Sequence, residues 1–324
     1  MSPSDWKVRA TTQPKPQGYR FDLDKALSSV LALSATVPSD AFTAETLGTE
    51  RAGNAVLIRE DGLVLTVGYL VTEAAAVWLT SGDGRVTPGH VIGVDGQTGL
   101  GLIQALAPLG LPALPLGSSA EALVGQRVVV AGAGGRRHSV AARITMKQEF
   151  AGYWEYVLDE AIFTAPAHPH WGGTALIAED GRLIGIGSLQ LQQERGPDHQ
   201  EHLNMMVPID LLKPVLDDLL RLGQPDRPPR PWLGLYATEI DGRVAVAGVA
   251  RGGPADAAGL QLGDIVTGIA GQEVRDLAGF FRSVWALGPA GVEVPLKLHR
   301  DGRAFEARLA SVDRRRLLKG PVMH

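Results

Sequence analysis

From Gly53 onward, short apolar runs alternate with polar turns that contain glycine, the pattern of successive β-hairpins. Residues 55–59 and 63–67 are apolar stretches joined at Glu60-Asp61-Gly62, and an Asp-Gly step suits a tight hairpin turn. The arrangement recurs at 75–80 and 85–94 across Ser81-Gly82-Asp83-Gly84, and 100–105 follows as another strand. Residues 127–131, 139–147, 153–158 and 162–164 also read as strands, and 175–178 pairs with 182–189 across Asp180-Gly181. Many short strands at regular spacing predict a closed barrel or a sandwich. Residues 208–222 break the pattern. There Leu211, Leu212, Val215, Leu216, Leu219, Leu220 and Leu222 recur at helical spacing, and Gly223 stands where a helix would cap.

The segment 223–231 holds Pro225, Pro228, Pro229 and Pro231, which predicts a semi-rigid extended linker and a domain boundary. Residues 232–310 mix element types. A short helix at 255–258 closes on Gly259, a strand follows at 265–269, and 277–287 is an amphipathic helix. Residues 292–299 and 303–309 form a hairpin across Asp301-Gly302. The cluster Arg314-Arg315-Arg316 reads as a solvated end with no role.

Composition narrows the classes. A chain of 324 residues is about twice a typical domain, and 45% hydrophobic against 20% charged residues is enough for real cores. A net charge of −4 argues against a protein built to grip nucleic acid or anionic lipid. There is no cysteine, so disulfides, zinc-thiolate sites and a cysteine nucleophile are excluded together. Residues 1–16 hold no apolar run of signal-peptide length, and no stretch approaches the roughly 18 apolar residues of a membrane helix. The location expected from this is cytoplasmic if the chain is complete and periplasmic if a leader has been removed.

Several motifs, in order and spacing, resemble HtrA-type trypsin-like serine proteases with a C-terminal PDZ domain. The first barrel of that family is matched by Glu60-Asp61-Gly62-Leu63-Val64-Leu65-Thr66, Asp83-Gly84-Arg85 and Val91-Ile92-Gly93-Val94-Asp95. The second is matched by Ile162-Phe163-Thr164, Gly172-Gly173-Thr174-Ala175-Leu176 and Gly181-Arg182-Leu183-Ile184-Gly185-Ile186. Trp232-Leu233-Gly234-Leu235 and Gly259-Leu260-Gln261-Leu262-Gly263-Asp264-Ile265-Val266 are PDZ-like. The resemblance implies a mainly β protein, a chymotrypsin-like double six-stranded β-barrel followed by an α+β PDZ domain. The expected divisions are an N-terminal arm at 1–24, the two-barrel domain at 25–222, the linker at 223–231, the PDZ domain at 232–310 and a basic tail at 311–324.

The resemblance does not extend to the chemistry. The family's histidine position holds Tyr69, its aspartate position Gly99, and its nucleophilic serine position Trp171. The residue two before the nucleophile, whose N–H forms half of the oxyanion hole, is Pro169, which has no N–H to donate. The loop from Thr164 to Gly172 is also about two residues shorter than the family pattern.

Replacements for the triad are poor. Tyrosine ionises near pH 10 and is a weak base at neutrality, and tryptophan offers only an indole N–H. Thr174 reads as a strand residue facing a neighbour rather than a nucleophile. His168-Pro169-His170 is a His-x-His pair of the kind that ligates metal, but no carboxylate lies beside it in sequence and a solvated turn is the preferred reading. His199-Gln200-Glu201-His202 reads as a polar solvated loop, and His90 as a strand histidine. No metal site and no cofactor are expected.

By the resemblance, Trp232, Leu233, Gly234 and Leu235 form a carboxylate-binding loop, and the strand from Tyr236 to Glu239 pairs with a peptide ligand. The helix 277–287 forms the other wall, with Phe280, Phe281, Val284 and Leu287 as lining candidates, each of which is otherwise core. Family members assemble as trimers through N-terminal aromatics, and Tyr19 and Phe21 are the candidates here, unless the arm packs on its own barrel. The function expected is a pseudoprotease that binds peptides or protein partners through the PDZ groove and the old cleft. The alternatives are a working serine endopeptidase with a non-standard site, or a PDZ scaffold with a structural barrel domain.

Overall fold

The apolar runs close into two barrels. In the computed structural model, which describes residues 6–194 and 200–320, the first barrel is built from β1 (Val30–Thr36), β2 (Glu50–Arg59), β3 (Leu63–Val67), β4 (Ala76–Thr80), β5 (Val86–Asp95) and β6 (Leu100–Ala105). Their order around the barrel is β1-β2-β3-β6-β5-β4. The second barrel comprises β7 (Arg127–Ala131), β8 (Ser139–Gly152), β9 (Tyr156–Ala165), β10 (Ala175–Ile177), β11 (Leu183–Glu194) and β12 (Gln200–Pro208), in the order β10-β11-β12-β9-β8-β7. Leu31, Leu57, Leu65, Leu79, Leu100 and Leu102 are fully buried in the first barrel, each worth about 1.5–3 kcal/mol of burial.

Five expectations change. β1 had no place in the sequence reading. Residues 153–158 and 162–164 are not two strands: 153–155 form a turn, and a single β9 runs from Tyr156 through the exposed Asp159 and Glu160 to Ala165. Residues 200–202 are not a loop but the start of β12, where His202 pairs with Gln192 of β11; His199 lies outside the described residues. These three polar residues lead into the buried Leu203, Met205, Met206 and Val207 of the same strand. The long helix shrinks to Leu216–Leu222, capped by Gly223 at φ 69°. Pro214 has no amide hydrogen to carry a helix through this point, and Leu211 and Leu212 lie in a short three-ten helix and the turns that follow it. The fifth change, at Arg314, is described below with the second unit.

The chain divides into two units, residues 1–148, 160–226 and 319–324 forming one, and 149–159 with 227–318 forming the other. The second unit holds a sheet of β13 (Leu235–Ile240), β14 (Arg243–Val249), β15 (Ile265–Ile269), β16 (Gln272–Glu273), β17 (Glu293–Arg300) and β18 (Arg303–Ala310), ordered β13-β14-β15-β17-β18 with β16 on β15. Its main helix (Leu277–Ala286) starts at Asp276, whose carboxylate accepts from the Gly279 amide. Asp264 is fully buried and takes a bidentate pair from Arg300 at 2.6 and 2.7 Å. Arg314 corrects the solvated reading of the tail: it is half-buried, its Nε is enclosed, and its charge acts on Glu155.

Candidate functional site

In the first unit the three residues expected at the triad positions converge. Val67 ends β3, and Gly68–Leu70 turns as a three-ten helix that carries Tyr69. The Gly68 amide donates to the Gly99 carbonyl at 2.6 Å, which brings the turn after β5 against the same helix. The Tyr69 hydroxyl donates to the Ser188 carbonyl at 2.9 Å. Burial drives the Tyr69 pKa strongly upward, and the adjacent Trp171 side chain offsets only part of that. Tyr69 and Trp171 are both half-buried, while Pro169 and His170 are exposed. A phenol that keeps its proton, a glycine and an indole therefore share one locus.

The loop that carries Trp171 is held by Asn54 of β2. Asn54 Nδ2 donates to the carbonyls of His170 and Gly172, each at 3.0 Å, and its Oδ1 accepts from the Ala133 amide at 2.9 Å. Gly173 adopts φ 75°, and a Cβ there would lie 1.8 Å from the Asn54 carbonyl oxygen, so only glycine fits. Thr174 sits just before β10 rather than within it, is fully buried, and gives its hydroxyl proton to the Trp171 carbonyl at 2.8 Å. Below this loop, Arg51 donates to the Tyr69 and Thr72 carbonyls at 2.7 and 2.9 Å. Glu73 accepts from the Thr43 hydroxyl and amide at 2.6 and 2.7 Å. These hydrogen bonds hold its carboxyl below the ordinary value even though burial opposes them.

The two histidines beside Trp171 are not a ligand pair. His168 is fully buried; its Nε2 donates to the His138 carbonyl at 2.8 Å and its Nδ1 accepts from the His170 amide at 3.1 Å. Both ring nitrogens are thus engaged in the neutral tautomer, and burial pushes the pKa down to about 4. Trp6 covers the rings of His138, His168 and His170 at centroid distances of 4.7, 5.4 and 4.2 Å. Among the described residues no group of histidines and carboxylates is placed to hold a metal ion. In the N-terminal arm, Tyr19 and Phe21 pack on each other at 5.5 Å, and Phe21 lies over Gly181 of the same chain.

In the second unit, Leu233 and Leu235 are buried and Gly234 between them adopts φ 70°. Trp232 is buried and bridges to Val312. Phe280, Phe281 and Val284 are all buried in the unit's core, and Leu287 just beyond the helix is exposed. The amides of Leu233 and Leu235 are already engaged: both donate to the carboxylate of Glu155, at 3.0 and 3.1 Å. Nothing in the local sequence around Glu155 announced this, since the contact spans about eighty positions.

Residues 53–186 match the family profile described as trypsin-like peptidase domain, and residues 231–310 match the PDZ domain profile. A probable periplasmic serine endoprotease DegP-like of Chlamydia pneumoniae is 26% identical over 275 residues, covering 78% of this chain and 53% of that protein. The serine endoprotease DegS of Salmonella typhimurium is 24% identical over 316 residues, covering 90% of this chain and 85% of that protein. The chain carries a trypsin-like peptidase domain followed by a PDZ domain, and is similar to HtrA-type serine proteases. The mainly β architecture expected from sequence holds, with both six-stranded barrels closed. The HtrA-type protease AlgW with tripeptide shares the fold at a TM-score of 0.53 and 22% identity, covering 93% of this chain and 97% of that one. The chain spans about half the length of the DegP-like relatives it matches first. No helix among its described residues is long and apolar enough to cross a membrane.

Proposed function

We propose that this chain is an HtrA-type pseudoprotease, a peptide-binding protein without peptidase chemistry. The observation that carries the reading is the convergence of Tyr69, Gly99 and Trp171, none of which supplies a base, an orienting carboxylate or a nucleophile. The Tyr69 proton is committed to Ser188, and burial keeps it there. Pro169 at the oxyanion position removes a donor worth about 2.7–4 kcal/mol of transition-state stabilisation. Binding is then the work of the PDZ module, whose loop Trp232-Leu233-Gly234-Leu235 takes a terminal carboxylate while β13 adds the peptide as a strand. The ligand class is a peptide or protein C-terminus with a free carboxylate and an apolar last residue. The compartment is periplasmic, as the names of the relatives state for themselves. Assembly as a homotrimer through Tyr19 and Phe21 is the oligomeric part of the proposal.

Those same names favour a second reading, a serine endopeptidase with an unorthodox site. Against it stands His168, three residues before Trp171, whose two nitrogens are both bonded to backbone. The test is incubation of the purified chain with casein alongside labelling by a fluorophosphonate probe. Absence of both signals supports the pseudoprotease; cleavage that copurifies with labelling of this chain overturns it.

A further inference from the structure

Within the second unit, residues 149–159 lie along the groove that the preceding section assigns to a peptide. The Glu155 carboxylate accepts from the Leu233 amide at 3.0 and 3.2 Å through its two oxygens, and from the Leu235 amide at 3.1 Å. Two residues earlier, the Tyr153 carbonyl accepts from the Ala237 amide at 2.9 Å. Residues 155 to 153, in the turn between β8 and β9, run antiparallel to residues 235 to 237, and the Tyr153 carbonyl takes the Ala237 amide as the backbone of an added strand would. A carboxylate on the loop amides and a carbonyl on the strand two residues back are the contacts that a peptide terminus would make there.

The rest of the segment is fitted to the same place. Val157 is 7% exposed and belongs to the apolar cluster of Phe280, Phe281 and Val284. Arg282, on the helix that holds those residues, pairs with Glu149 and Asp159 at the two ends of the segment. Glu155 is not a glycine, yet it adopts φ 62°, a conformation that glutamate rarely takes and that turns its side chain into the loop.

We infer that residues 153–157 are a built-in pseudo-ligand of the PDZ groove, with the Glu155 carboxylate standing in for a peptide terminus, so that an external C-terminal peptide binds only by displacing them. The inference rests on the reading of Trp232-Leu233-Gly234-Leu235 as the carboxylate loop. Such a competitor lowers apparent affinity by the fraction of molecules whose groove is open.

Two measurements on the full chain test it. The first is hydrogen exchange at the Leu233, Leu235 and Ala237 amides in wild type, Glu155→Gln and Glu155→Ala. These amides are expected to be protected in wild type and to exchange about tenfold or more faster in Glu155→Ala, with Glu155→Gln between them as a check that keeps the shape of the side chain. Equal protection in all three overturns the inference. The second is fluorescence anisotropy with labelled decapeptides of randomised sequence ending in valine, leucine or phenylalanine, each as free acid and as amide. Glu155→Ala is expected to bind the free acids on the order of tenfold tighter than wild type, with the amides unchanged. Free acids bound equally by both proteins would overturn self-occupancy while leaving the peptide site intact. Faster exchange without any preference for free acid in Glu155→Ala would instead remove the carboxylate-loop reading on which the inference stands.

Discussion

The Tyr69 hydroxyl and the Ser188 carbonyl meet at 2.9 Å because β11 bulges there. Its register against β12 shifts between Gly187 and Leu189, which takes Ser188 out of the ladder and leaves its carbonyl to another donor. The phenol is therefore a structural cross-link between the two barrels. Tyr69→Phe should leave a buried carbonyl without a partner and lower stability by about 1–3 kcal/mol, read as a fall in the urea midpoint at unchanged slope. An unchanged midpoint would mean that water replaces the hydroxyl at no cost.

Trp171→Ser should not create a peptidase. A serine there would still lack a base at Tyr69, a carboxylate at Gly99 and an amide at Pro169, and triad members act as a unit. Gly99 also sits at φ 76°, so Gly99→Asp adds about 1–2 kcal/mol of backbone strain. Fluorophosphonate labelling of Trp171→Ser above the wild-type level would contradict this.

His168 should remain neutral down to about pH 5. Its folded pKa is depressed to about 4 from the ordinary 6.5, so protonation favours the unfolded chain. The stability this contributes is present above pH 6.5 and is lost as pH falls through that window. Imidazole carbon shifts, followed by NMR, should show no titration of His168 between pH 8 and 5.5, whereas a midpoint near 6.5 would show that the ring is solvated.

The docking of residues 149–159 should strengthen on mild acidification. Burial of the Glu155 carboxyl outweighs the loop amides and Arg314, and raises its pKa from 4.5 to about 7. The docked segment therefore binds a proton more tightly than the free one. Docking is fully strengthened below pH 4.5 and weakens as pH rises to 7. Exchange at the Leu235 amide, corrected for its intrinsic pH dependence, should rise from pH 5 to pH 8 in wild type and stay flat in Glu155→Gln. A rise of equal size in both proteins would assign the effect elsewhere.

Local signals in the sequence were good guides to the barrels and poor guides to what joins them. The Asp-Gly step at Asp61-Gly62 and the apolar run at β6 carry their own instructions, because hairpin geometry and strand burial are decided within a few residues. The first residues of β12, Gln200, Glu201 and His202, are polar and looked like a loop, although Leu203, Met205, Met206 and Val207 farther along are buried. Asn54, Arg51 and Glu73 were missed for a different reason. Each is a polar residue in or beside an apolar stretch, and its partner lies tens of positions away, as with Asn54 and His170. Such a residue can be flagged from sequence as an anomaly, but its role depends on chain closure. Glu155 gave less still, since its turn has neither glycine nor proline at the residue that needs a positive φ.

Because residues 149–159 belong with 227–318, a cut at the proline-rich linker does not follow the seam of the molecule. A fragment covering only residues 231–310 would carry the loop amides of Leu233 and Leu235 bare and would lose Val157 from its apolar cluster. Binding constants measured on that fragment would describe a groove that the intact chain does not present. The matching fragment, ended before the linker, would hold Val157 and Tyr153 without the surfaces that cover them. Dissection would then raise the apparent appetite of one piece for ligands and the stickiness of the other, and neither would be a property of the protein.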